Sequence, residues 1–349
     1  MTDTPTPANA DDQSDDNPPG RERRRVGPLR RWSARLLGAA AAVLLLATAL
    51  GYFGEHAWLL DLTNEWRLQY ALLALLLAAA LLALRSWRWL AVAGVVAGLN
   101  LWVILPWMIG GGPEIPPGVA DRDLRLMTLN VRVSSEDFAP LRKLLAESKP
   151  DVAVLLEVDR EWLAEIRELS AGYEIVDTPT QERFGTLLLS RRPLKDVTFE
   201  SFGEKWSSSI IVRLEVNGQP ATVIATHPPA PISSKTWRKR NQHLQELARY
   251  VNGVDTPVLV AGDLNVTMWS PHFRRLVDEA QLADARDGYG LLPTFPATRL
   301  GVDFGWPLRI PLDHVLVSGE WVTLDYGTPP GIGSDHLPVS VDVALPPAR

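Results

Sequence analysis

Hydrophobic positions fall into two regimes along the chain. Between residues 36 and 110 they form three long runs, "LLGAAAAVLLLATALGYFG" (36–54), "LQYALLALLLAAALLAL" (68–84) and "LAVAGVVAGLNLWVILPWMIG" (90–110), none with a polar face. A helix rises about 1.5 Å per residue, so about 20 apolar residues cross the hydrocarbon of a bilayer, and the pattern predicts three transmembrane helices. The second run is short, but Trp66, Trp87 and Trp89 flank it where interfacial aromatic residues sit, and Arg67 and Arg85 can snorkel. Asn100 and Pro106 interrupt the third, which neighbouring helices permit. The first run is too long, and too far from residue 1, to read as a cleaved signal peptide.

From Leu124 the period changes. "LRLMTLNV" (124–131), "VAVLLEV" (152–158), "FGTLLLS" (184–190), "SIIVRLEV" (209–216), "ATVIATH" (221–227) and "PVLVAGD" (257–263) read as strands, the first two as buried ones by their apolar density. "NGQ" at 217–219 is a hairpin turn, and "DHVLVSG", "WVTLDYG" and "LPVSVDVAL" close the chain as three more strands. Helices are predicted within "SSEDFAPLRKLLAESKPD" behind serine caps, around Glu161 to Leu169, and from Lys235 to Val251. Many strands with interspersed helices and at least one hairpin predict an α/β layered sandwich with mixed sheets.

Composition adds the ends and the polarity. Residues 1–20 are rich in Asp, Pro, Thr and Asn and read as a disordered acidic tail, followed by an Arg-rich stretch to residue 35. That stretch and "RSWR" (85–88) share one side of the membrane, while the acids of "EHAWLLDLTNEWR" (55–67) lie on the other. Cytoplasmic loops carry the excess of Arg, so the N-terminus is expected in the cytoplasm of a multi-pass plasma-membrane protein. Three spans then deliver a globular domain, residues 122–349, to the extracytoplasmic face through a Gly/Pro linker at 111–121. Net charge is −6 and cysteine is absent, so a basic nucleic-acid footprint, a disulfide framework and a thiolate metal site are all missing.

The chemistry collects where the apolar strands stop. Asn130 ends "LMTLN", Glu157 ends "VAVLLE", His227 ends "ATVIATH", Asp263 and Asn265 close "VAGDLN", Asp313 opens "DHVLVS", and Asp335 and His336 precede "LPVSV". Loops positioned by a rigid sheet are where catalytic groups tend to be presented, and Asp, Glu, Asn and His suit a hard, oxygen-binding cation and a phosphate. Taken in order, with "GDLN" and "SDHLPV" at that separation, the series resembles the endonuclease/exonuclease/phosphatase superfamily, the DNase I-like fold, over about residues 122–345. The resemblance implies a four-layered sandwich of two mixed β-sheets flanked by helices, here preceded by three transmembrane helices.

It also implies a divalent-metal-dependent hydrolase, with magnesium as the ion and manganese as the alternative. Carried over by position, Glu157 looks like the principal metal ligand, with Asn130 and Asp335 close by. Asp263 would orient or deprotonate the attacking water, Asn265 and His227 would donate to phosphate oxygens, and Asp313 would orient His336. Whether Asp263 or His336 takes the proton stays open. Glu182 matches a nuclease position poorly in spacing and is left outside the site, and Thr226 and His314 are assigned to the scaffold.

For the substrate, the basic stretch 228–242 offers Arg238 and Arg240, and the loop 295–311 offers Trp306. The membrane anchor, short linker and acidic domain favour a phosphorylated or pyrophosphorylated lipid, such as a polyprenyl diphosphate, with the bilayer itself as partner. An anchored nuclease, a sphingomyelinase-like phosphodiesterase and an inactive binding module are the alternatives. Nucleic acid is not favoured, and no protein partner is inferable.

Overall fold

The computed structural model describes residues 27–109, 115–117, 119, 121–132, 137–169, 172–178, 185–203, 208–299 and 302–347. The acidic tail, most of the linker, the serines expected to cap the first globular helix and Glu182 lie outside the described residues.

Three helices are long and apolar enough to cross a membrane. The first is α1 (Pro28–Gly51). The second is broken into a short α2 (Trp58–Leu62), a 3-10 turn (Thr63–Trp66) and α3 (Arg67–Ala83), and the third is α4 (Trp87–Ile109). α1 thus begins within the Arg-rich stretch, and the segment between the first two apolar runs, used in the sequence analysis only to orient the spans, is mostly helical. Small residues let the helices approach: Ala41 and Ala93 pack with Leu81, and Ala74 packs with Val96 and Ala97. A buried polar cluster ties all three together. Arg67 donates to the Thr48 carbonyl (3.2 Å) and to Asn64 Oδ1 (2.5 Å), and Asn100 Nδ2 donates to Thr48 Oγ1 (2.9 Å). Those bonds satisfy groups that would be costly against lipid.

The globular part is two six-stranded mixed sheets. In chain order its elements are β1 (Leu124–Asn130), α5 (Ala139–Ser148), β2 (Val152–Val158), α6 (Arg160–Leu169), β3 (Glu174–Asp177), β4 (Gly185–Ser190), β5 (Leu194–Glu200), β6 (Ser209–Val216), β7 (Gln219–Ala225), α7 (Ser234–Val251), β8 (Val258–Asp263), α8 (Pro271–Ala280), β9 (Leu282–Asp284), the short β10 (Thr298–Arg299) and β11 (Val302–Asp303), β12 (Asp313–Ser318), β13 (Val322–Gly327) and β14 (Val339–Ala344). One sheet runs β13-β14-β1-β2-β4-β3 and the other β5-β6-β7-β8-β12-β9. Each holds a single parallel pair near its centre, β1 with β2 and β7 with β8.

Period-two alternation explains why the central strands read as unbroken apolar runs. In β2, Val152, Val154 and Leu156 face the core between the sheets, while Ala153 and Leu155 face α5 and α6. In β8, Leu259 and Ala261 enter the same core and Val258 and Val260 pack on α7 and α8. Helices, sheet, sheet and helices make the four expected layers. At the hairpin between β6 and β7, Asn217 and Gly218 both take positive φ, 52° and 73°, as a two-residue turn between twisted strands requires.

The membrane helices and the sandwich are in direct contact. Gln69 of α3 donates to the carbonyls of Pro307 and Arg309, both at 3.0 Å, and Trp58 Nε1 donates to the Pro231 carbonyl at 2.6 Å. Arg30 donates to the Leu84 carbonyl at the opposite end of the bundle (3.0 Å), beside Arg85 and Arg88. The basic residues therefore sit at one end of the three helices and the sandwich at the other.

Candidate active site

The two parallel pairs end at one common rim, and that rim carries the polar series. Asn130 closes β1, Glu157 lies near the end of β2, His227 follows β7 and Asp263 closes β8. Asp313 opens β12 opposite Asp263 in the antiparallel register, and His336 lies just before β14, which pairs with β1. Residues spread over 207 positions of sequence, 130 to 336, thereby meet at one place because both sheets present strand ends to it.

Asp263 is the hub. It is 1 % exposed, and its Oδ1 accepts the Asn265 backbone N–H at 2.9 Å. Around Oδ2 stand Asn130 Nδ2 at 3.4 Å, His227 Nε2 at 3.5 Å and His336 Nε2 at 3.7 Å. Burial alone would raise the Asp263 pKa, but the adjacent His336 and His227 outweigh it and bring the carboxyl down to about 2. His336 is held from behind: its Nδ1 donates to Asp313 Oδ2 at 2.8 Å, and its ring lies 4.8 Å from that of Phe295, centroid to centroid. Burial opposes its charge, yet Asp313 and Asp263 together raise its pKa to about 10. His227 is shifted upward too, burial being outweighed by its hydrogen bond and charge interaction with Asp263.

Backbone strain marks the same rim. Glu157 and Asn265 both adopt left-handed φ, 57° and 51°, which non-glycine residues take only where surrounding bonds hold them. Glu157 Oε1 accepts from Asn130 Nδ2 at 2.9 Å, and the Asn265 side chain donates to the Pro228 carbonyl at 3.0 Å. Among the described residues the group with ligand atoms close enough to hold a metal ion is Asp263, Asp313 and His336, all within 4.8 Å. Glu157 and Asp335 add two carboxylates that open on the same cavity, so the donor set is rich in hard oxygens, as a divalent cation of the magnesium type requires.

The cavity measures about 530 Å³. One end is polar, with Glu157, His227, Asp263, Asn265, Asp335 and His336. Its remaining wall is mostly apolar, built from residues 228–232, Phe295, Ile310 and Leu312 together with Leu62 and Trp66 of the membrane region, with Glu65 and Thr236 the polar side chains among them. No Lys or Arg lines it among the described residues.

Of the residues expected at the site, Asn130, Glu157, His227, Asp263, Asn265, Asp313, Asp335 and His336 come together. The three expected substrate contacts do not. Arg240 is fully buried on the inner face of α7, where its Nη2 pairs with Asp61 Oδ2 at 2.5 Å, so it cannot meet a substrate. Arg238 is exposed on the outer face of that helix, and Trp306 sits in a 3-10 turn against α3; neither lines the cavity. Thr226 and His314 belong to the scaffold: Thr226 Oγ1 bonds Ser209 Oγ and His243 Nε2 (both 2.7 Å), and His314 bridges Asp284 and the Val266 carbonyl (both 2.9 Å). What sequence reading missed is the contribution of residues 61–66, whose acids were used only to orient the spans.

A family model described as the endonuclease/exonuclease/phosphatase family matches residues 127–336. No curated protein matches the chain. Solved structures with a similar fold include a humanized D. rerio TDP2 (15 % identity, TM-score 0.53, covering 63 % of this chain and 98 % of that one). An endonuclease/exonuclease/phosphatase from Bacteroides vulgatus is similar at 15 % identity and TM-score 0.53, covering 64 % and 99 %. One from Beutenbergia cavernae reaches 22 % identity at TM-score 0.50, covering 64 % and 72 %.

Proposed function

Because the chain belongs to the endonuclease/exonuclease/phosphatase family, whose members hydrolyse phosphoester bonds, we propose that it is a membrane-anchored, magnesium-dependent phosphohydrolase acting on a phosphorylated or pyrophosphorylated lipid. A polyprenyl diphosphate is the specific substrate. One observation carries this reading: the polar catalytic end and an apolar wall contributed partly by the membrane region share one cavity. A phosphate on a long apolar tail satisfies both halves. A polyanionic strand would need a basic surface along its backbone, and the lining has no Lys or Arg among the described residues.

Glu157, Asn130 and Asp335 would hold the cation, with Asp263 beside them. The bound ion would offset charge developing on the phosphoryl group. Asp263 Oδ2, ionised and faced by three donors, is the acceptor that orients the attacking water. His336 already donates through Nδ1 to Asp313, and with its pKa raised it carries a second proton on Nε2 to offer a phosphate oxygen or the leaving group. His227 and the free hydrogen of the Asn265 amide serve the remaining oxygens. By the distribution of Arg, the basic end of the helix bundle faces the cytoplasm and the cavity lies at the outer surface of the plasma membrane.

The test is phosphate release by purified full-length protein from a polyprenyl diphosphate, beside nicking of plasmid DNA, with magnesium or EDTA and with His336→Ala as blank. Metal-dependent release from lipid with intact plasmid is expected. Nicking without lipid turnover would overturn the reading in favour of a tethered nuclease.

A further inference from the structure

The segment that closes β8, residues 263–267, is held at its middle and its far end by bonds that lead to acids from another part of the chain. At its middle, the Asn265 carbonyl accepts from Arg240 Nη1 at 3.0 Å. That guanidinium is fixed in turn by Asp61, 1 % exposed, which also accepts from Trp237 Nε1 (2.9 Å) and Ser270 Oγ (2.7 Å). At the other end, the Thr267 backbone N–H donates to Glu65 Oε2 at 3.1 Å. Asp61 and Glu65 lie on the broken start of the second membrane helix, about 200 residues away in sequence, and both are buried.

Asn265 needs such support. Its left-handed φ of 51° is one that few residues other than glycine adopt, asparagine more readily than most, and the bonds around it select that conformation. The bonds internal to the sandwich fix Asp263 Oδ1 to the Asn265 N–H, the Leu264 N–H to the Leu312 carbonyl (3.0 Å), and the Val266 carbonyl to His314. They leave the Asn265 carbonyl to Arg240, a residue of α7 that is tied in turn to Asp61, and the Thr267 N–H to Glu65. Both groups are buried, and a buried backbone group without a partner is strongly disfavoured.

We propose that Asp61, acting through Arg240, and Glu65 are positioning residues for the hydrolytic reaction, so that the broken start of the second membrane helix is a structural part of the active site. The proposal rests on the roles given above to Asp263 and Asn265. It does not depend on the lipid being the substrate. A displacement of about 1 Å in a catalytic group can cost about 100-fold in rate, which is the scale expected when the support is removed.

The experiment uses full-length protein in detergent with magnesium, bis(p-nitrophenyl) phosphate as a soluble substrate, and hydrogen exchange read by mass spectrometry. Arg240→Lys keeps a charge for Asp61 but loses the fork that reaches Asn265, and is expected to lower kcat about 100-fold with KM changed less than about 3-fold. Amide exchange over residues 263–267 should accelerate while β1 stays protected. Glu65→Leu should behave likewise, and Glu65→Gln, which keeps an acceptor for Thr267, should restore most of the rate. Combining Asp61→Asn with Arg240→Lys should cost no more than the worse single change, because both cut one relay. Glu55→Gln, which removes an exposed pair with Arg275 (3.2 Å), is the neutral control from just before that helix start.

Unchanged kcat and unchanged exchange at 263–267 in folded Arg240→Lys and Glu65→Leu would overturn the proposal. So would losses confined to global melting, or a fully additive double variant. Should the soluble substrate not turn over, the exchange pattern decides alone: local loosening supports the relay and its absence sinks it. Turnover of the soluble ester with the expected variant pattern, but none of a lipid, would leave the relay standing and remove the lipid reading.

Discussion

Ile232 gives the sharpest test of the lipid wall. It stands at the cavity mouth on the segment whose preceding carbonyl is held by Trp58, and 80 % of its surface is exposed. Nearly the whole side chain is therefore free to be covered by a substrate tail. Covering an aliphatic side chain of this size is worth about 1.5–3 kcal/mol. At about 1.4 kcal/mol per factor of ten, Ile232→Ser should lower kcat/KM for a polyprenyl diphosphate by about 10- to 100-fold. Bis(p-nitrophenyl) phosphate, too short to reach the wall, should lose less than about 2-fold in the same mixed micelles. The measurement is the ratio of the two specificity constants in wild type and variant, at fixed detergent concentration. Equal losses on both substrates, or an unchanged lipid constant, would refute the reasoning, since either result says that no tail lies on Ile232.

Two further outcomes follow from the geometry. Asp313→Asn preserves the shape behind His336 but puts an amide where a carboxylate fixes the ring, and should lower kcat by about 10³- to 10⁴-fold with circular dichroism unchanged, by analogy with other His–carboxylate pairs; a loss under 10-fold would remove Asp313 from the site. Gly262→Ala would set a Cβ 1.9 Å from the Thr226 carbonyl in the parallel pair of β7 and β8, so the variant should melt well below wild type or fail to accumulate, read by thermal scanning of the purified protein.

How far the sequence reached depends on what each residue's role rests upon. Strands such as β2 and β8, buried on both faces, announce themselves as apolar runs, and the polar residues ending them stand out by contrast. β5, "LKDVTFE", lies at a sheet edge and is exposed over most of its length, so nothing in its pattern separates it from a loop. α8 received no assignment although its apolar residues Phe273, Leu276 and Ala280 keep a helical period, because the helix is short and opens on Pro271. The misplacement of Arg240 is the most instructive. A run of basic residues at the start of a helix is usually a wet face. Yet positions 237, 240, 241, 244, 247, 248 and 251 fall on one stripe of α7, and the buried set follows that stripe, Arg240 included. The period was legible. Its partner, Asp61, was not, because pairing across 179 residues leaves no local trace.

The bond between Asp61 and Arg240 also bears on how the chain is threaded. Residues 58–66 open the second apolar helix and the sandwich follows the third, so the two lie on one side of a bilayer when both helices cross it. Were either to stay out of the bilayer, Asp61 and Arg240 would face different compartments, and a buried guanidinium stripped of its carboxylate costs about 3–5 kcal/mol, a large share of what holds a domain folded. The ion pair thus ties the stability of the sandwich to the path of the helices: a copy with one of them left out would lose the carboxylate that Arg240 needs.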